Sequence, residues 1–117
     1  MHTANDEIAV VVQIETGEAL KNIEAIASVS GVDAVFIGPS DLSASLGHIG
    51  NAEHEDVQSA IKAAIEKLKS VGTPAGILAF NPDHAKRYIE WGFQFVAVGS
   101  DINLLVKGSD ALVQQFK

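Results

Sequence analysis

Four short apolar runs punctuate the chain: residues 8–14 (IAVVVQI), 34–37 (AVFI), 75–80 (AGILAF) and 93–98 (FQFVAV). Each is rich in β-branched or aromatic residues, nearly continuous rather than alternating, and bounded by turn residues. Strands buried on both faces of a parallel sheet read this way. Between the runs, apolar positions fall into a helical period. Ala19, Leu20, Ile23, Ile26 and Ala27 make one stripe, with Glu18, Lys21 and Glu24 facing outward. Val57, Ala60, Ile61, Ala64, Ile65 and Leu68 make a second and cleaner stripe that stops before Gly72. Asn81-Pro82-Asp83 sets a capping residue before a proline at the first helical position, which predicts a helix to about Glu90. A last helical stretch is expected from about Ile102 to Phe116, with Gly108 as a break.

The order is β-α-β-α-β-α-β-α, an α/β chain of four consecutive βα units. A short helical turn is expected at 40–46, and the longest irregular piece near 47–51. No low-complexity segment, linker or internal repeat divides the chain, so 1–117 reads as one domain. A complete (β/α)8 barrel takes roughly 250 residues. Four units in 117 residues are about half of one. Such a chain packs either as an open, doubly wound, flavodoxin-like sheet or as a half-barrel that needs another half to close against. The strand edges at 8–14 and 93–98 are apolar and carry neither Lys nor Pro. Edges of that kind predict pairing with a second copy in a homo-oligomer, or with another half that closes the barrel.

Composition narrows the function classes. Eight Lys+Arg against 15 Asp+Glu give a net charge of −7. The basic residues are scattered, with Lys86-Arg87 as the one adjacent pair, so neither nucleic acid nor an anionic membrane is an expected partner. The absence of Cys excludes disulfides, thiolate metal sites and Cys nucleophiles. No apolar run approaches the ~20 residues needed to span a bilayer. The start, Met1 to Glu7, is polar and acidic, unlike a signal peptide. A cytoplasmic location is the expectation.

Functional groups in such folds sit just past the carboxyl ends of the strands. Here those ends read Gln13-Ile14-Glu15-Thr16, Gly38-Pro39-Ser40-Asp41, Phe80-Asn81 and Gly99-Ser100-Asp101. Asp41, Asn81 and Asp101 are all placed to cap the helix that follows. Glu15 lies at a strand end, and strand alternation puts it on the same face as Gln13. Glu15 and Asp41 therefore stand as either a pair of oxygen ligands for a hard divalent cation or a pair of capping acids. The backbone amides of the Gly38–Asp41 turn suit an anion such as a carboxylate. The other candidates are weaker. His48 and His54, six apart across a Gly-rich loop, have poor metal spacing and read as solvated loop residues, and His84 as an exposed first-turn residue. Ser40 and Ser43 have no evident base, no GxGxxG or Walker pattern occurs, and Tyr88 and Trp91 read as packing residues.

Val12-Gln13-Ile14-Glu15-Thr16, then Gly31 through Ser43 (GVDAVFIGPSDLS) and Gly50-Asn51, closely resemble the metal-dependent class II pyruvate aldolases. That family has 4-hydroxy-2-oxoheptanedioate and 2-keto-3-deoxy sugar-acid branches and is related to the citrate lyase β-subunit. Gly76-Ile77-Leu78-Ala79, Ala85-Lys86-Arg87-Tyr88 and Phe95 through Asp101 (FVAVGSD) continue the resemblance, which covers nearly the whole chain from Ala4. It implies the last four units of a (β/α)8 barrel. By the same resemblance, Glu15 and Asp41 would bind Mg²⁺, Mn²⁺ or Co²⁺, with Gln13 beside the metal. The amides of Ser40 and Asp41 would hold the pyruvate carboxylate, and Leu78 would line the aldehyde side of the pocket. The implied reaction is cleavage of 4-hydroxy-2-oxo acids to pyruvate and an aldehyde through a metal-stabilised enolate. The family's enolate-stabilising arginine and its acid–base histidine with partnering aspartate belong to the barrel's first half, which this chain lacks. A truncated or engineered fragment with little or no activity of its own is the expectation; the alternative is a non-catalytic, self-associating half-barrel module.

Overall fold

The computed structural model of the chain describes residues 3–117. After a single turn, α1 (Ala4–Glu7), the order is β1 (Val11–Ile14), α2 (Gly17–Lys21), α3 (Ile23–Ala27), β2 (Ala34–Ile37), α4 (Pro39–Ser45), α5 (Glu55–Ser70), β3 (Ala75–Leu78), α6 (Pro82–Trp91), β4 (Phe95–Ala97) and α7 (Asp101–Gln114). Local chemistry sets most boundaries. The Thr16 hydroxyl accepts the Ala19 amide at the start of α2, and the Asn81 side chain accepts the Asp83 amide ahead of Pro82. Gly92, at φ 105°, ends α6 in the left-handed conformation that suits glycine. α7 is capped by the Ser100 side chain, which accepts from Asn103, whereas the Asp101 carboxylate accepts the adjacent Ile102 amide.

All strands pair in parallel and in chain order, β1-β2-β3-β4. Ile14 lies opposite Ile37, Ile37 opposite Ile77, and Leu78 opposite Ala97. This order excludes the doubly wound alternative, which requires a reversal of strand order within the sheet. With right-handed crossovers, a sheet that never reverses receives its helices on one face only. Burial follows that rule. Ile14, Val35, Ile37, Ala75, Ile77 and Ala79 point into a core shared with Ile23, Ala27, Val57, Ile61, Ile65 and Leu68. On the other face Val11, Gln13 and Phe95 are exposed, and Ala34, Phe36 and Leu78 are half-buried. The fold is a partial (β/α)8 barrel, with the face that would line its interior open.

The continuous apolar runs therefore did not indicate strands buried on both faces within this chain. Their second apolar face belongs to the barrel interior, which four units do not enclose. Three of the runs also overstate the ladder, because 8–10 precede β1, 79–80 follow β3, and 93–94 and 98 flank β4, whereas 34–37 coincides with β2. The first helical stripe is split into α2 and α3 at Asn22, whose side-chain amide donates back to the Glu18 carbonyl. Gly108 does not break α7. A helix-interior glycine costs only about 1 kcal/mol, too little to interrupt a capped helix.

No residue of α7 is buried, and Ile102, Leu104, Leu105, Leu112 and Val113 face solvent. The radius of gyration, 16.6 Å, exceeds the about 13 Å of a compact domain near this length. α7 and the open sheet face account for the excess.

On that open face Phe36 of β2 and Phe95 of β4 meet edge-to-face across β3, with ring centroids 5.7 Å apart. They meet because β3 carries Gly76 between them. A Cβ there would lie 2.7 Å from Phe36 Cδ2 and 3.0 Å from the Phe95 carbonyl oxygen. The Phe95 oxygen is backbone and yields only if β4 shifts. Gly76→Ala is expected to destabilise the chain by about 1–3 kcal/mol, read as a lower urea midpoint. An unchanged midpoint would mean that the aromatic pair simply swings clear.

Candidate functional site

The carboxyl ends of β1 and β2 carry the acids singled out from the sequence. Glu15 directly follows β1, and Asp41 lies in the first turn of α4, which begins where β2 ends. As alternation requires, Gln13 and Glu15 share a face: Gln13 Nε2 donates to Glu15 Oε2 at 2.8 Å. Both rest against the bare Cα of Gly38 on the neighbouring strand end. A Cβ on Gly38 would stand 2.9 Å from Gln13 Nε2, 3.1 Å from Glu15 Oε2 and 3.2 Å from Glu15 Cβ. The φ of Gly38 is −99°, which any residue adopts, so glycine serves space here rather than backbone conformation.

Asp41 does not cap α4. The N-cap position is Gly38, and no side chain accepts from the first-turn amides. The amides of Ser40 and Asp41 thus keep their polarity directed at the rim, while Pro39 brings no N–H. Ser43 is not a nucleophile, since its buried hydroxyl donates to the Ser40 carbonyl at 2.6 Å. The carboxylates of Glu15 and Asp41 are hard oxygen donors. Such a set fits a divalent cation of the Mg²⁺ or Mn²⁺ kind.

Ser40 and Leu78 come together, one from α4 and one from β3, in a cavity of about 250 Å³ that is also lined by Pro39, Glu53, Phe80 and His84. A larger cavity of about 540 Å³, with Gly17, Leu46 and Ala64 in its wall, has none of the predicted site residues in its lining.

The loop between α4 and α5 is more ordered than its sequence suggests. Gly47 and Gly50 adopt φ of 86° and 74°, turning the chain back on itself. His48 and His54 are consequently partly buried and stacked, with centroids 3.5 Å apart, rather than solvated. His48 Nε2 lies 3.0 Å from Asp56 Oδ2, and His54 Nδ1 accepts the Asp56 amide to cap α5. His48, His54 and Asp56 are also a metal-competent group, with their ligand atoms all within 4.8 Å of one another. His84 is likewise not a free surface residue, because its Nδ1 lies 2.8 Å from Glu53 Oε1. Glu53 Oε2 accepts from Arg87 at 3.0 Å, and Arg87 also donates to Gln58 Oε1 at 2.9 Å. Burial costs the Arg87 guanidinium hydration, which lowers its pKa. The hydrogen bond and charge of Glu53, with help from Tyr88, outweigh this and hold it above the ordinary arginine value. Sequence spacing could not reveal this network, since Glu53 and Arg87 are 34 positions apart. Arg87, the one arginine of the chain, is thereby committed to holding the loop.

Comparison with known proteins agrees with this geometry. The family model described as HpcH/HpaI aldolase/citrate lyase matches residues 1–108. A 4-hydroxy-2-oxo-heptane-1,7-dioate aldolase of Klebsiella pneumoniae is 54% identical over 116 residues, covering 99% of this chain and 44% of the relative. Among solved structures, a HpcH/HpaI aldolase/citrate lyase family protein from Burkholderia cenocepacia superposes with a TM-score of 0.91 at 36% identity. That match covers 98% of this chain and 45% of the other. A HpcH/HpaI aldolase from Desulfitobacterium hafniense gives a TM-score of 0.89 at 33% identity, covering 97% and 44%. The chain spans less than half the length of the relatives it matches.

Tyr88 ties the loop network to the core. It is buried, its ring packs edge-on against Trp91 and Phe93, and its hydroxyl accepts from Gln58 Nε2 at 2.9 Å. Tyr88→Phe is expected to cost about 1 kcal/mol. Amide exchange in 47–54 should also quicken, measured by hydrogen–deuterium exchange; protection unchanged from the parent would detach the loop from this anchor.

Proposed function

The chain belongs to the HpcH/HpaI aldolase/citrate lyase family, and on that premise we propose that it is the metal- and 2-keto-acid-binding half of a barrel aldolase. The substrate class is a 4-hydroxy-2-oxo acid, cleaved between C3 and C4 into pyruvate and an aldehyde. Glu15 and Asp41 hold the divalent cation, Mg²⁺, Mn²⁺ or Co²⁺, and Gln13 steadies Glu15 through its amide. The Ser40 and Asp41 amides receive the substrate carboxylate, and Leu78 with Ser40 walls the cavity that takes the aldehyde portion. The cation supplies Lewis acidity to the 2-oxo group. The observation that carries this reading is the Gln13–Glu15 pair seated on Gly38 beside the uncapped first turn of α4.

Cleavage also requires that the C4 hydroxyl lose a proton and that the pyruvyl carbon regain one. Among the described histidines, His84 alone lines the cavity with Ser40 and Leu78, and its Nδ1 is paired with Glu53. His48 pairs with the Asp56 carboxylate, His54 caps α5, and Arg87 is bound to Glu53 and Gln58. The chain alone is therefore expected to bind without turning over. The open sheet face and the unburied α7 favour a complementary half-barrel or a second copy as partner, with 1–117 acting as one unit. No helix among the described residues is long and apolar enough to cross a membrane. The acidic, Cys-free composition supports a cytoplasmic setting.

Titration calorimetry with Mn²⁺ and pyruvate tests the site directly. Heat should require both ligands and fall by at least roughly tenfold in apparent affinity in Glu15→Gln and in Asp41→Asn, the scale expected when a ligand or its close support is lost. Gly38→Ala should weaken binding and lower the thermal midpoint only modestly, since its Cβ displaces the movable ends of Gln13 and Glu15 and crowds Glu15 Cβ at 3.2 Å. Equal heats in the parent and all three variants would move the site elsewhere.

A further inference from the structure

The α4–α5 loop gathers ligands of a different chemistry from the rim. Its two glycines at positive φ fold His48 back over His54, and both imidazoles face the Asp56 carboxylate in the first turn of α5. Asp56 Oδ2 is 3.0 Å from His48 Nε2 and 3.6 Å from His54 Nδ1. An ion held tetrahedrally by bonds of about 2.0–2.1 Å sets its ligand atoms about 3.3–3.4 Å apart. The two distances bracket that edge. Two imidazoles and one carboxylate favour Zn²⁺, Ni²⁺ or Cu²⁺ over Mg²⁺, which prefers oxygen and water.

We propose that His48, His54 and Asp56 form a second cation site, which takes one borderline transition-metal ion of the Zn²⁺ class with a fourth position open to water. It is independent of the aldolase reading. Stacked rings hold their in-plane lone pairs in separate planes, so one ring turns on binding. The partly exposed His54 has room to do so, and it exchanges its bond from the Asp56 amide for the metal. This exchange makes the site weaker than a preformed structural zinc centre. Its effect is to clamp 48–56 onto the start of α5, and with it Glu53, which lines the cavity shared by Ser40 and Leu78.

The test uses the chain as it stands, titrated with Zn²⁺ alone, with Co²⁺ as a spectroscopic stand-in. One equivalent should bind at the loop, where Co²⁺ should develop the intense visible absorption of a four-coordinate nitrogen–oxygen site, distinct from the weak absorption of Co²⁺ held by oxygen alone at the rim. His48→Gln and His54→Asn should each weaken binding by at least roughly tenfold. The asparagine retains the capping acceptor of α5, and circular dichroism verifies that both variants are folded. Glu15→Gln, Asp41→Asn and His84→Gln should leave Zn²⁺ affinity unchanged. No binding by the parent chain, or equal binding by the two loop-histidine variants, overturns the proposal. Loss of Zn²⁺ in Glu15→Gln or Asp41→Asn assigns it to the rim and overturns it as well.

Discussion

Parallel pairing of four strands in unbroken chain order is the constraint from which the rest of this structure descends. Because the order never reverses, each right-handed crossover returns to the same side of the sheet. Helices α3 and α5 then bury Ile14, Val35, Ile37 and Ile77, and the opposite face stays bare. The hydrophobic effect stabilises one side of a sheet whose other side, with Phe36, Phe95 and Val11, is also largely apolar in sequence. An open doubly wound sheet would have shared its helices between the faces. Here these four units leave the second face uncovered.

The same constraint explains where the chemistry lies. Parallel strands in one direction deliver all their carboxyl ends to one rim, and each end carries polar residues. Register then decides which of them meet. With Ile14 opposite Ile37, Glu15 comes level with Gly38, and only the missing side chain at Gly38 lets Gln13 and Glu15 fold down together. One residue of slip would set Ile37 or Pro39 there in place of the glycine. The cation-binding character proposed for this rim thus rests on a backbone alignment as much as on the carboxylates.

Loops supply what the sheet cannot. The 46–54 segment is held to α5 by the His48–Asp56 and His54–Asp56 contacts, and to α6 by Glu53 between His84 and Arg87. Arg87 bears some cost for this, since its Nε is buried without a hydrogen-bond partner. Two charge-assisted bonds and the stacking of its guanidinium near Tyr88 and Trp91 offset that cost. The loop is therefore a fixed wall of the cavity that contains Ser40 and Leu78.

Local signals in the chain suffice for the strand cores, the stripe of α5, the Asn81-Pro82 start of α6 and the polar strand ends, because periodicity and capping are decided within a few residues. They suffice also for the family, since the VQIET and FIGPSDLS segments carry specific residues at specific strand ends. They mislead where a neighbour decides. Asn22 interrupts a stripe by bonding its own backbone, and Gly108 fails to interrupt α7. His48, His54 and His84 look solvated until the fold turns the loop and brings Asp56 and Glu53 to them. Tertiary structure alone chose which apolar face would be covered, because burial depends on strand order and crossover hand, and neither is written in the spacing of any one segment.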